Sequence, residues 1–176
     1  MTSMLRPAAL ALVLAASAAG AQTRHDTDAP INFSADAIEL QDRANRAVLS
    51  GGVDVRQGNM TLNAQRMTVA YTGQVLEGSP QVSRLDASGD VVVRRPDQTA
   101  RASYAVYDLN RRIITMLGAV SLTQGSNTVN GGRLTINLDT GRAVIDGSAV
   151  GGGSAGDGVQ RQGGRVTGTF SVPKRQ

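Results

Sequence analysis

The chain has 176 residues, of which 40% are hydrophobic and only 3% aromatic, with 21 glycines and a net charge of +4. It has no cysteine and a single histidine, which excludes disulfide staples, thiol nucleophiles and Cys/His zinc sites. The mild basic excess is scattered among acids, and Phe33, Tyr71, Tyr104, Tyr107 and Phe170 lie far apart, so nothing resembles a nucleic-acid stacking surface.

The first residues read MTSMLRPAALALVLAASAAGAQ. Arg6 supplies a positive start, Pro7 to Ala18 is apolar, and Ala19-Gly20-Ala21 is a small-x-small cleavage site. Residues 1–21 therefore read as a secretory signal peptide cut before Gln22. The apolar run is shorter than the ~20 residues a bilayer requires. An exported, soluble chain is expected, periplasmic in a bacterium, and the lack of cysteine excludes a lipoprotein anchor.

Residues 22–30 (QTRHDTDAP) are polar and aperiodic, and a flexible arm is expected there. Alternation begins with Ile31 and Phe33. A recurring figure follows: a small residue, two positions, an apolar residue, one position, another apolar residue. It appears as Ala35, Ile38, Leu40, then Ala64, Met67, Val69, then Ala102, Ala105, Tyr107, then Gly131, Leu134, Ile136. The copies start 29, 38 and 29 residues apart. Period two places the last two members on one face of a strand. The three-residue step breaks that parity, and a β-bulge beside a small side chain restores it.

Each figure leads to a turn and a return strand. Gln41–Asn45, Asn110-Arg111 and Asp139–Gly141 carry the turn chemistry, and the return strands end at Gly51, Gly118 and Gly147. Beyond the glycine, Val53/Val55, Val91/Val93 and Val120/Leu122 alternate, and Gly58-Asn59, Pro96-Asp97 and Gly125-Ser126 turn the chain again. The strongest copy is a gapless internal repeat: GGVDVRQGNMTLNAQRMTVAY (Gly51–Tyr71) returns 67 residues later as GAVSLTQGSNTVNGGRLTINL (Gly118–Leu138). The longer 38-residue step places an extra loop at about Glu77 to Ser88. Residues 148–164 are glycine-rich and read as a loop, and residues 165–176 as a last strand with a basic tail. A calcium-binding glycine-aspartate repeat in that loop would need tandem copies, and Asp157 is its only acid.

Catalytic constellations are sparse. A Ser-His-Asp triad would have to recruit His25 from the arm, and no phosphate-binding glycine loop is present. The acid pairs Asp36/Glu39 and Asp86/Asp90 are the paired carboxylates an enzyme could use, but they sit where solvated surface is expected. No metal or cofactor is implied, and the chain does not read as an enzyme. The inward apolar set is Ile31, Phe33, Ile38, Leu40, Val53, Val55, Leu62, Met67, Val69, Val91, Val93, Tyr107, Val120, Leu122, Leu134, Ile136 and Leu138. Two readings stay open: these residues fill a sandwich core, or they line a partly open trough that holds an apolar ligand. A structural repeat that pairs with other proteins and binds no lipid is a further alternative.

The segments INFSADAIEL, VLSGGVDVRQGNMTLNAQRMTV and ASYAVYDLNRRIITMLGAVSLTQGSNTVNGGRLTI resemble the LptA/OstA family of periplasmic lipopolysaccharide-transport bridge proteins. The resemblance covers Ile31 to about Asp146, and RVTGTFSVP is similar to the family's last strand, displaced by the glycine-rich loop. It implies an all-β fold, a twisted open β-jellyroll of antiparallel strands over residues 31–147. It implies an apolar interior that takes lipid A acyl chains, with Ile31, Phe33, Tyr107 and Leu109 at the family's lipid-contact positions. The implied partners are an inner-membrane-anchored protein of the same fold, an outer-membrane barrel with a jellyroll domain, and further copies arranged head to tail. Ile31–Ser34 carries no charge and no proline, which suits strand addition at an edge.

Overall fold

The computed structural model describes residues 25–73, 80–147 and 165–170. Ten strands in these residues form one antiparallel sheet: β1 (Ile31–Ser34), β2 (Ala37–Gln41), β3 (Arg46–Gln57), β4 (Met60–Thr72), β5 (Gln81–Arg95), β6 (Gln98–Asp108), β7 (Ile113–Gln124), β8 (Asn127–Asn137), β9 (Ala143–Asp146) and β10 (Thr167–Thr169). The long strands β3 to β8 run as a meander in sequence order. β1 and β2 share one edge, pairing with opposite halves of β3, and β9 and β10 share the other, pairing with opposite halves of β8. The sheet is open, with two free edges.

Every long strand is interrupted at the same level. Register shifts fall between Ser50 and Val53, Asn63 and Arg66, Ser88 and Val91, Arg101 and Tyr104, and Leu117 and Val120. On the return strands the interruption is a pair of residues in left-handed backbone: Gly51-Gly52, Gly89-Asp90 and Gly118-Ala119, at φ of 77 and 51, 79 and 47, and 80 and 47. Opposite them the three-residue steps Ala64–Met67, Ala102–Ala105 and Gly131–Leu134 keep the inward parity. The spacing figure of the sequence is therefore this bulge row. Glycine is required for space as well as for φ: a Cβ on Gly89 would lie 2.7 Å from Gln65 Oε1, and one on Gly118 3.0 Å from Ser103 Oγ.

The row divides the sheet into two halves, and the sheet folds along it. One observation demonstrates the fold. Tyr107, in the β2 side half, donates a 2.8 Å hydrogen bond to Gln57 Oε1, in the β1 side half and on a strand that does not neighbour its own. Burial agrees, because Leu49, Met67, Val91, Ile114, Met116 and Leu134 are all 0% exposed, which a flat sheet could not achieve. The opposite face is polar: Arg56 bonds Asp54 two residues before it on β3 (2.7 Å), and cross-strand bonds tie Asn63 to Asp54 (2.6 Å) and Arg94 to Asn63 (2.7 Å).

Two expectations are revised. Of the loop placed at Glu77 to Ser88, Gln81–Ser88 is strand, and Glu77 lies outside the described residues. Gly78 and Pro80 read as punctuation, but Leu85 and Ala87 alternate inward opposite Val69 and Met67, and that pairing prevails. The polar arm is also not free along its described part, since His25 is buried. The glycine-rich residues 148–164 lie outside the described residues, and the last strand is the short β10.

Replacing Gly118 by alanine is expected to destabilise the chain by about 1–3 kcal/mol, because it combines positive φ with the Ser103 contact. Ala119→Gly, at φ 47, is expected to be neutral or stabilising by about 0.5 kcal/mol. Urea unfolding of both variants, with unchanged slope, checks the pair.

Candidate functional site

The inward face is built in rungs. Ile38, Leu49, Met67, Ala87, Ala105, Met116, Leu134 and Ile145 stand opposite one another across eight strands. Leu40, Ala47, Val69, Leu85, Tyr107, Ile114, Ile136 and Ala143 form the next rung. In the other half Phe33, Val55, Leu62, Val93, Ala100, Leu122 and Val129 do the same. Directly opposed residues on antiparallel strands share a face, so the apolar surface is continuous from edge to edge.

Val53, Val55, Leu62, Met67, Val69, Val91, Val93, Tyr107, Val120, Leu134 and Ile136 are buried on this face, as is Leu138. Ile31, Leu109 and Leu122 are half-buried against it. Phe33, Ile38 and Leu40, from the same inward set, are 49%, 48% and 58% exposed, so they do not fill a core. Their register puts them on the inward face, but β1 and β2 are edge strands, with no further strand among the described residues to cover them. The acids Asp36 and Glu39 are exposed, and Glu39 accepts a bond from Gln41.

Sequence reasoning passed over Ala47, Leu49, Leu85, Ala87, Ala100, Ile114 and Met116, all buried on the same face. The alternation Ala47/Leu49, Leu85/Ala87 and Ile114/Met116 ahead of each bulge glycine is the signal that locates them.

A buried polar cluster was also passed over. Gln57 Nε2 donates to the carbonyls of Thr27 (2.9 Å) and Ala29 (3.1 Å), which fixes Oε1 as the acceptor for Tyr107. His25 Nε2 lies 3.3 Å from the same oxygen, and Nδ1 lies 3.1 Å from Asn59 Oδ1. Nearby, Arg112 bonds Asp28 at 2.7 Å and Asp139 at 3.2 Å. The Asp139 bond and then the Asp28 charge raise the Arg112 pKa. Burial pushes the Tyr107 hydroxyl up to about 12, although the Arg112 charge and the Gln57 bond oppose the shift.

A separate groove of about 760 Å³ lies on the outward face along the bulge row, lined by Gln65, Asp90, Arg101 and Tyr104 among others. No group of three or more His, Cys, Asp or Glu among the described residues could hold a metal ion. No helix among them is long and apolar enough to cross a membrane.

These features define an open antiparallel β-jellyroll with a continuous apolar inward face. The family described as LptA/(LptD N-terminal domain) LPS transport protein matches residues 32–142, and the chain belongs to that family. An uncharacterized protein of Rhizobium meliloti (strain 1021) is 33% identical over 148 residues, spanning 82% of this chain and 78% of the relative. The lipopolysaccharide export system protein LptA of Escherichia coli (strain K12) is 26% identical over 131 residues, spanning 70% and 68%. Among solved structures, LptH of Pseudomonas aeruginosa, described as the LptA homologous periplasmic component of the lipopolysaccharide transport device, superposes with a TM-score of 0.67. It covers 84% of this chain and 99% of its own at 18% identity, a likeness of fold.

The Tyr107 hydroxyl supplies a test of the cluster. Its folded pKa of about 12 lies above the ordinary value of 10.0. Its contribution is therefore fully present below pH 10 and is lost as pH rises through 12. Across that window the native chain is expected to lose on the order of 1–2 kcal/mol more stability than Tyr107→Phe, measured by denaturant unfolding at each pH.

Proposed function

We propose that the chain is a non-enzymatic periplasmic carrier. It binds the lipid A part of lipopolysaccharide on its apolar inward face and bridges inner- and outer-membrane transport components. The observation that carries this reading is the run of apolar rungs that emerges uncovered at the β1/β2 edge, where Phe33, Ile38 and Leu40 face solvent. Burying one methylene is worth ~0.8 kcal/mol, so an acyl chain gains on the order of 10 kcal/mol before ordering costs. No bond is made or broken in such a task. The tightly filled centre implies that acyl chains enter from the exposed edge and part the two layers as they penetrate.

The edges serve assembly. Among the described residues β1 pairs only with β3, which leaves its outer backbone groups for another strand. Adding β1 of one copy to the β9/β10 edge of the next is a heterologous contact that builds chains rather than closed dimers. The same edges suit an inner-membrane-anchored protein of this fold and the jellyroll domain of an outer-membrane barrel. Fully buried Leu49, Met67 and Met116 favour a second reading, a structural assembly module that binds no lipid.

Photo-crosslinking side chains at Phe33 and Leu40 are expected to capture lipopolysaccharide several-fold more strongly than the same groups at outward Asp54 and Thr68. Equal labelling at all four positions removes the inward face as the binding surface. A delipidated sample that forms filaments yet shows no saturable acyl-chain binding decides for the second reading.

A further inference from the structure

The apolar inward face has a polar end. Beyond the rung of Val55, Leu62, Val93 and Ala100, the register places Gln57, Met60, Arg95, Gln98, Gln124 and Asn127 in a last inward row. In this row Arg95 Nε and Nη1 are buried and have no hydrogen-bond partner among the described residues. Two buried guanidinium N–H groups without acceptors are costly, and an anion rich in oxygen acceptors is the chemical class that relieves them.

Gln57, the buried amide of the same row, is already engaged, and by the chain's own N-terminal segment. Its Nε2 holds the Thr27 and Ala29 carbonyls, while the intervening Asp28 carboxylate sits on Arg112. Residues 25–30 thereby cross from the β3–β4 turn in one layer to the β6–β7 turn in the other. Two carbonyls on an amide and a carboxylate on a guanidinium form the acceptor set that acyl amides or esters and a phosphate also present. The hold is weak at one end, because Asp28 is 81% exposed within its ion pair.

We propose that the polar row is a head-group site for an anionic, multiply acylated amphiphile, and that residues 25–30 are a strap that occupies it in the ligand's place until displaced. The inference rests on the carrier reading and deepens it by naming where the polar part of the cargo sits and what regulates entry. Apparent affinity then scales with the fraction of molecules whose strap is open.

The chain has no cysteine, so a lock can be installed without background reaction. A Cβ on Gly58 would lie 3.6 Å from Asp26 Cβ, within disulfide reach. Binding is measured in the full chain carrying Asp26→Cys and Gly58→Cys, oxidised and reduced, and in native and Arg95→Gln chains. The probes are bisphosphorylated lipid A and the same lipid stripped of both phosphates, in one detergent. Oxidation is expected to weaken binding about tenfold relative to the reduced form of the same variant. The native chain is expected to prefer the phosphorylated lipid by about tenfold, and Arg95→Gln to reduce that preference to about twofold. Equal affinity before and after oxidation overturns the strap. Equal affinity of the native chain for the two lipids, or an undiminished preference in Arg95→Gln, overturns the head-group site. If the native chain binds neither lipid, the carrier reading itself fails and the inference falls with it.

Discussion

A single sheet has nothing to bury its apolar face against except itself. Everything else in this chain follows from how that constraint is met. The left-handed pairs at Gly51-Gly52, Gly89-Asp90 and Gly118-Ala119 interrupt the return strands at one level, so the sheet can fold along a line. Without them, period-two alternation would project the valines and methionines of both halves from one flat surface into water. With them, the two halves close over a common interior, which a chain without cysteine holds with no disulfide. The backbone strain at Asp90 and Ala119, which lack glycine's freedom, is offset by the burial that the fold line makes possible.

The same device explains why the interior is tight at its centre and loose at its margins. Across the rungs, burial is complete in β3 to β6, eases at Leu122 in β7 and Val129 in β8, and fails at β1 and β2, where no neighbour among the described residues continues the sheet. An open jellyroll thus presents apolar side chains and unpaired backbone groups at one place. For an isolated soluble protein that combination is an aggregation hazard. In the carrier reading proposed above, the same place receives cargo and neighbouring proteins.

Much of this was legible in the sequence because period and punctuation coincide. The small–x–x–apolar–x–apolar figure located the fold line, and the glycine-rich and proline turns located the three tight hairpins. Face assignment succeeded even for Phe33, Ile38 and Leu40, whose exposure failed to follow because burial depends on sheet order and not on parity alone. Leu49 and Met116 were passed over because the return strands were read for their turns rather than for their alternation. His25 and Gln57 were illegible for a deeper reason. Their partners lie 32 residues apart in sequence, and no local pattern distinguishes a buried polar contact from a solvated one.

The meander of β3 to β8 has a consequence for how such molecules diversify. Consecutive long strands are always neighbours in the sheet, so each hairpin is hydrogen-bonded to the hairpins before and after it. Duplicating one 29-residue module would insert two strands in the middle of the sheet and widen it by about 9.5 Å. Both edges and the fold line would be left intact. Lateral capacity can thus be lengthened in discrete steps, like links added to a chain, without renegotiating either terminal connection.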